Sequence, residues 1–245
     1  RHSHNYMHHH FTNIVGKDHD VGYGILRMAD QQEWEAKYLA QPVYALMLAL
    51  FFEWGVGVHD IDLANVLKPE WKWAEKKPLV KNFLKKMRKQ LVKDYVAFPA
   101  LAGPFFLPVL AGNFVANIIR NIWAFMIIFC GHFTEGAEMF TEEECENETK
   151  AEWYLRQLMG SSNLEGGKWF HIMSGNLSHQ IEHHMFPDIP ANRYAEMAVE
   201  VQALCEKYGL PYNTGSLSKQ FGTVVQRIFR LSLPNGGNGN VAAVA

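Results

Sequence analysis

The sequence predicts an all-α protein whose helices meet a membrane, and three features indicate this. Long apolar runs occupy residues 42–58, 95–110 and 114–131 and are suited to a bilayer. The stretch between the first two runs is strongly basic, which is typical of a segment beside the cytoplasmic membrane face. Histidines cluster near both ends of the chain at spacings that place several imidazoles on one helix face. We therefore expect a membrane helical hairpin, interfacial helices, and a cytoplasmic helical cap that carries the histidine clusters.

The composition argues against several kinds of protein. The chain has 245 residues and a formal net charge of −2, so it does not suggest a nucleic-acid partner. Its three cysteines lie far apart without a CxxC pair, which indicates reduced thiols rather than a disulfide framework. It contains no HExxH, Walker, GxGxxG or GxSxG motif and no Glu-x-x-His pair. We expect residues 1–245 to form one domain whose low-complexity end, residues 234–245, is disordered.

The second and third apolar runs are separated by little more than Gly112-Asn113. This spacing predicts a transmembrane hairpin over residues 95–131 that turns at this point, and a buried soluble hairpin is the alternative. The preceding basic stretch, residues 68–93, is interpreted as a cytoplasmic juxtamembrane loop, although a solvated helix face would also explain its charge.

The position of the first apolar run follows from a parity argument. A hairpin leaves and returns to the same side, and the two histidine clusters must share a side if they build one site. Residues 42–58 would break this parity if they crossed the membrane. At about 17 residues they are at the lower limit for a span, so we expect them to be interfacial or re-entrant.

The later part of the chain is expected to be helical and soluble. The glutamate-rich stretch between residues 135 and 148 is interpreted as a solvated cap without chemistry of its own. Residues 169–184 are predicted to form one helix that delivers the second histidine cluster and ends before Pro187. Residues 193–208 have the pattern of an amphipathic helix.

The histidine clusters are the candidate functional residues. His4, His8 and His9 point to one side of a helix, because the first two are four residues apart and the third is adjacent. Gln180 lies one turn before His183 and His184 in the same way.

His132 follows the third apolar run and is placed to add another imidazole. Six histidines and an amide are too many for one four-coordinate zinc and fit two metals, or one metal with supporting residues. The isolated His19, His59 and His171 are interpreted as structural.

The two clusters together resemble a known family. His4-Asn5-Tyr6-Met7-His8-His9 with Thr12-Asn13, and Gln180-Ile181-Glu182-His183-His184-Met185-Phe186-Pro187, resemble the second and third histidine boxes of the integral-membrane fatty acid desaturases. The likeness is greatest to the bacterial acyl-CoA branch, which is linoleoyl-CoA desaturase-like, as in mycobacteria. The resemblance covers essentially the whole chain, and the QIEHH form followed by Phe-Pro is highly specific.

The resemblance implies a non-haem di-iron centre at the cytoplasmic face of a multi-pass integral membrane protein. It implies an O₂-dependent enzyme that introduces a cis double bond into a fatty acyl chain, most often on acyl-CoA. It also implies an external NAD(P)H-dependent reductase or ferredoxin as electron donor. The ligand positions that carry over from the family are His4, His8, His9, His132, His183 and His184, with Gln180 or His179 as a further ligand or support.

Two features depart from the family pattern. The first histidine box, HxxxH or HxxxxH, has no match outside the two histidine clusters, so we expect it before Arg1 and expect this chain alone to be inactive. Gln180 stands where many relatives have histidine, and His179 precedes it as a competing ligand. We favour Gln180, because it shares a helix face with His183 and His184.

Two other functions remain open. An acyl hydroxylase on the same scaffold would share the iron and the attack on a methylene, and its product would gain oxygen. A membrane metal-ion carrier would need a polar path through the hairpin, and the sequence offers Asn117, Arg120 and Asn121 for it.

Overall fold

The computed structural model describes residues 7–63, 66 and 71–234. His4 and nearly all of the predicted disordered end, residues 235–245, therefore lie outside the described residues. Helices dominate the described part, so the prediction of an all-α fold is confirmed. The α-helices are α1 (His9–Phe11), α2 (Gln41–Leu50), α3 (Phe52–Asp60), α4 (Trp73–Val92), α5 (Phe98–Leu101), α6 (Phe106–His132), α7 (Lys150–Met159), α8 (Lys168–Met173), α9 (Gln180–Met185), α10 (Tyr194–Tyr208) and α11 (Leu217–Ser232).

The chain forms two compact units. One comprises Leu46–Phe125, and the other comprises the residues up to Ala45 together with those from Met126 onward. The second unit contains two short strands, β1 (Asn163–Glu165) and β2 (Thr214–Ser216), which pair in parallel.

A sharp bend separates α2 from α3 in the first apolar run. The two helical segments meet at 103° on either side of Phe51. Asn121 satisfies the backbone at this break, because its side chain accepts from the Glu53 N–H at 3.1 Å and donates to the Leu50 carbonyl at 3.1 Å. Such a bend suits a broken span as well as a re-entrant segment, so the interfacial or re-entrant position of residues 42–58 stays a prediction.

The hairpin is present, but its turn lies elsewhere than predicted. Helix α4 continues through a π turn and α5, and the chain reverses at Gly103, which has φ +55°, before α6 begins. Asn113 and Asn117 of α6 bond back to the first arm, to the Asp94 carbonyl at 2.6 Å and to the Tyr95 hydroxyl at 3.1 Å. The Gly103-Pro104 dipeptide was the turn signal.

Gly112-Asn113 lies inside α6, since a helix tolerates one glycine at a cost of about 1 kcal/mol. The basic stretch was also predicted incorrectly as a loop, because residues 73–92 are helical. Lysine, leucine, glutamine and methionine are good helix formers, which explains the helix, and the juxtamembrane position of the stretch stays a prediction. Lys68 lies outside the described residues.

One continuous helical stretch of the described chain, Gly103–His132, is long and apolar enough to cross a membrane, since it has 30 residues and contains an 18-residue window with a mean hydropathy of 1.7. The bent pair Ala36–Leu50 and Phe52–Asp60 qualifies only if both segments count as one span. The lysine-rich first arm of the hairpin is not one of these candidates, and the transmembrane position of the hairpin stays a prediction.

The larger unit has a small core between helices. Leu158 of α7, Ile181 of α9, and Val201 and Cys205 of α10 are buried together. Helix α11 contacts both strands, and its Arg230 forms a bidentate ion pair with Asp30 at 2.7 and 2.9 Å.

The prediction of a single helix over residues 169–184 is wrong. The chain instead forms α8 and α9 with a turn between them, where Gly175 and Asn176 have φ of +65° and +61°. Two successive residues in the left-handed region end a helix. The break lets α9 take an orientation that is independent of α8.

Candidate metal centre

The N-terminal histidines lie on a short helical segment that ends in a tight turn. Met7 and His8 form a π turn that leads into α1, and Asn13 leaves the helix with φ +58°. The Asn13 side chain donates to the Glu138 and Gly160 carbonyls at 2.9 and 2.8 Å. His8 and His9 are both buried as a result.

Helix α9 carries the C-terminal cluster. Gln180, His183 and His184 lie three and four residues apart, and the intervening Ile181 and Glu182 face the protein interior. The fully buried Glu182 carboxylate accepts hydrogen bonds from the Asn163 amide at 2.8 Å and from a tyrosine hydroxyl at 2.9 Å. Burial raises the pKa of Glu182, although these hydrogen bonds oppose the shift.

His132 ends α6 and meets α9. Its Nε2 lies 2.9 Å from Nε2 of Gln180. This approach depends on Gly131, because a Cβ at that position would come within 2.8 Å of Cγ of Gln180. The helix that is apolar enough to cross a membrane therefore ends directly at the histidine cluster.

Five of the six predicted histidine ligands come together in two overlapping groups. His8, His132 and His184 offer nitrogen atoms within 4.8 Å of one another, and His9, His183 and His184 do the same. His184 belongs to both groups, and its ring centroid lies 4.6 Å from those of His9 and His132. This arrangement is suited to two metal ions that lie side by side.

The surroundings of His184 leave one nitrogen available for a metal. The Thr12 hydroxyl donates to the His8 carbonyl at 2.8 Å, so it can only accept from Nδ1 of His184, which lies 3.1 Å away. The Gln157 carbonyl oxygen also lies 3.3 Å from that Nδ1. Nδ1 therefore carries the hydrogen, and the buried Nε2 has no hydrogen-bond partner among the described residues. Burial, with the neighbouring histidines, holds the pKa of His184 well below its ordinary value, so the ring is neutral.

His8 is oriented by a carboxylate. Its Nδ1 lies 3.1 and 3.0 Å from the two carboxylate oxygens of Asp18, which is also buried. Asp20 lies further away, at 3.8 Å from the same nitrogen. Burial favours the neutral form of His8, but the charge and hydrogen bond of Asp18 outweigh it and raise the pKa of His8.

A buried arginine binds the backbone of the N-terminal histidine segment. Arg156 donates to the Thr12 carbonyl at 2.9 Å and to the His10 carbonyl at 3.0 Å. Glu148 neutralises it through two hydrogen bonds of 2.7 and 2.8 Å. At least this member of the glutamate-rich stretch therefore has a structural role, which corrects the prediction of a purely solvated cap.

His179 lies apart from both histidine groups. Its ring stacks on His171 with centroids 4.5 Å apart, and neither is a member of a metal-binding group among the described residues. Burial and the nearby His171 lower the pKa of His179 to about 4. The geometry thus favours Gln180 over His179 as the residue beside the metals, although the ligand assignment itself stays a prediction.

A small cavity of about 50 Å³ opens beside the cluster. It is lined by His8, His132 and Gln180 and also by the apolar Ile128 and Leu177. A cavity lined by both histidines and apolar side chains can place a hydrocarbon segment next to a metal.

Sequence reasoning missed the residues that support the histidines. Thr12 appeared only as part of a motif, and Asp18, Gln157 and Arg156 were not singled out. No local sequence pattern predicts that an arginine in an amphipathic helix is buried. The pair Asp18 and Asp20, close behind two histidines, was a usable signal, since carboxylates often orient histidine ligands.

Comparison with known sequences identifies the family of the chain. The fatty acid desaturase family profile matches residues 1–216. The chain is 44% identical over 239 residues to the NADPH-dependent stearoyl-CoA 9-desaturase of Mycobacterium tuberculosis, which covers 96% of this chain and 56% of that protein. It is 30% identical over 217 residues to the sn-1 linoleoyl-lipid 6-desaturase of Synechocystis, which covers 86% of this chain and 60% of that protein. No solved structure matches.

The chain spans little more than half the length of the curated relatives it matches. The matched region includes both histidine clusters and the helix that ends at His132. Agreement of a family profile over most of the chain with relatives of this identity shows that the chain belongs to the fatty acid desaturase family.

Proposed function

We propose that this protein is a membrane fatty acyl desaturase that uses O₂ to introduce a cis double bond at a histidine-held di-iron centre. The observation that carries the proposal is that His184 belongs to both of two groups of three histidines, in which all members except the half-buried His183 are buried. A site of this kind at the end of an apolar helix suits chemistry on a substrate that is dissolved in a bilayer.

The donor set fits iron. The available atoms are imidazole nitrogens, which suit iron among the transition metals. Nε2 of His184 is buried without a hydrogen-bond partner in the described chain, which is costly unless a metal or another group satisfies it. His8 and His184 each have the second ring nitrogen held by a neighbour, as metal-binding histidines usually do. We therefore assign His8, His9, His132, His183 and His184 as ligands, with Gln180 as a ligand or support, and expect His4 to join them.

Bound iron would supply the O₂-dependent oxidation of an unactivated pair of methylene groups. In the overall reaction, the acyl chain loses two hydrogens, and O₂ takes these with two electrons and two protons to leave as two waters. The protein's part is to position and to exclude water. Thr12 and Gln157 fix the ring of His184, Asp18 fixes that of His8, and Ile128 and Leu177 provide an apolar wall for the acyl chain.

The membrane arrangement is part of the proposal. Residues 103–132 would cross the bilayer and bring His132 to the cytoplasmic face, where the other histidines lie. Residues 42–58 would remain interfacial or re-entrant, so that both histidine clusters share one side. The full protein would be multi-pass.

The substrate and electron donor follow from the relatives. The relative with the higher identity is named for stearoyl-CoA and NADPH, so we propose a long-chain acyl-CoA substrate and an NADPH-dependent reductase. The other relative is named for a lipid-bound chain, so an acyl lipid is the alternative substrate.

A metal-carrier function is not favoured. The polar residues of the hairpin that were candidates for an ion path have partners of their own. Asn117 bonds to Tyr95, Arg120 pairs with Glu53, and Asn121 bridges the break between α2 and α3.

The test is to purify the full protein with its lipid and to assay it with stearoyl-CoA, NADPH and a reductase. We expect about two iron ions per chain and a product that is lighter by two hydrogens. The His184→Ala variant should lose iron and activity, whereas the control His59→Ala should keep both. A product that gains one oxygen would indicate the hydroxylase, and bound zinc without O₂ consumption would contradict the proposal.

A further inference from the structure

The short helix α8 presents an apolar face to its surroundings. Trp169, Ile172 and Met173 are 79%, 49% and 69% exposed. They lie at positions i, i+3 and i+4 and therefore share one side of the helix. Soluble surfaces seldom carry such a group, so the face indicates an interaction site.

The other side of α8 is anchored, so the exposure of this face is fixed by the fold. The Phe170 ring lies over Gly166, where an added Cβ would come within 2.4 Å of the ring. His171 bonds through one nitrogen to the Gly166 carbonyl and through the other to Ser178, both at 2.8 Å. These contacts orient Trp169, Ile172 and Met173 outward.

The segment after α8 lies beside the last turn of α6. Leu177, which follows α8, lines the same small cavity as Ile128. Ile128 lies one turn before His132, where α6 ends. The segment after α8 is therefore close to the end of the helix that we propose to cross the membrane.

The chemistry of the face selects the partner. It contains one tryptophan and two flexible apolar side chains, and the charged residue of the helix, Lys168, stands at its first position. Tryptophan and a flanking lysine are typical of segments at the boundary between lipid headgroups and acyl chains.

We infer that α8 lies in the membrane surface, with Trp169, Ile172 and Met173 inserted among the acyl chains. This inference rests on the proposed placement of residues 103–132 across the bilayer. It gives the metal centre a second contact with the membrane. The turn after α8 leads directly to Gln180, so this contact sets the depth of the third histidine box in the membrane. The proposed span sets the depth of His132.

Spin labels in lipid nanodiscs test the inference. Single cysteines replace Trp169, Ile172 or Met173, one at a time, in a Cys145→Ser background in which the remaining cysteines are buried. Collision with O₂, which concentrates in lipid, is compared with collision with a water-soluble nickel chelate. Ile119→Cys on α6 is the lipid control, and Val199→Cys on α10 is the matched control, since both positions are apolar and exposed at 62% and 69%.

We expect the three α8 labels to resemble the label at position 119, with O₂ favoured severalfold over the chelate, and the label at 199 to show the reverse. If the α8 labels resemble position 199 while position 119 is immersed, the inference about α8 is wrong and the proposed function stands. If position 119 also contacts water, the proposed membrane placement fails, and the inference fails with it.

Discussion

Nδ1 of His8 lies 3.0 Å from Oδ2 of Asp18, and both side chains are buried. The same carboxylate accepts hydrogen bonds from the backbone N–H groups of Asn13 and Asp20, each at 2.9 Å. One side chain therefore fixes the turn after α1 and the ring of a proposed ligand at the same time. A carboxylate that holds the second nitrogen of a histidine orients the ring and increases its basicity toward a metal.

Replacing Asp18 with alanine should weaken iron binding about 10- to 100-fold, which is the range for loss of such a supporting residue. The Asp18→Asn variant should retain more iron, because an amide oxygen can still accept from His8. Iron content after dialysis against a graded chelator measures the effect. The exposed Glu143→Gln substitution removes an equal charge and should leave the metal in place. Unchanged iron affinity in Asp18→Ala would show that the contact does not support a ligand.

Arg156 should be essential for the stability of the N-terminal histidine segment. The Arg156→Met substitution leaves Glu148 and two backbone carbonyls without their buried partner, and breaking such a pair typically costs about 3–5 kcal/mol. Arg156→Lys keeps the charge but loses the planar guanidinium group, so it should recover only part of the lost stability. Thermal unfolding in detergent measures the change.

The control for Arg156 is Arg193→Met, which removes an exposed ion pair with Glu196 and should cost less than about 1 kcal/mol. The double variant Arg156→Met with Glu148→Leu should be less destabilised than Arg156→Met alone, since no charge is left unpaired. Equal losses in the Arg156 and Arg193 variants would contradict the role that we give to Arg156.

The helical character of this fold is readable from the sequence, whereas its breaks are less so. The apolar run over residues 114–131 locates the later part of α6, and amphipathic periodicity locates α10, because these segments have continuous patterns. The turn at Gly103 was missed because Gly112-Asn113 looked like the stronger helix breaker. One glycine destabilises a helix by only about 1 kcal/mol, so the apolar helix continues through it. The break at Gly175 was missed because the histidine motif suggested an uninterrupted helix.

In the site, too, local features could be predicted from the sequence and long-range contacts could not. Spacing brought His8 and His9 together and set His183 beside His184, since neighbours on one helix are fixed by local geometry. The meeting of the two pairs depends on contacts 172 residues apart in sequence, such as that between Thr12 and His184. Spacing alone could not predict that contact, and only the family resemblance indicated it.

The choice between His179 and Gln180 as the residue beside the metals can be decided by substitution. His179→Phe should retain its iron, because phenylalanine preserves the stacking on His171 and the ring lies outside both histidine groups. Gln180→Leu should lose iron or activity, because it removes the polar group 2.9 Å from His132. Gln180→His should restore iron binding. Loss of iron in His179→Phe together with its retention in Gln180→Leu would reverse the assignment.

Gly131 and Gly112 offer a matched pair on the same helix. Gly131→Ala should displace Gln180, since the new Cβ would come within 2.8 Å of Cγ and 2.9 Å of Cδ of that side chain. Overpacking of this kind costs about 1–3 kcal/mol and should separate Gln180 from His132, which reduces iron content and desaturation together. Gly112→Ala meets no atom within 4 Å and should stabilise the helix by up to about 1 kcal/mol with full activity. Iron content, product yield and unfolding temperature, measured on both variants, separate an effect on the metal site from an effect on the helix. Full activity in Gly131→Ala would mean that the close approach of α6 and α9 is not required.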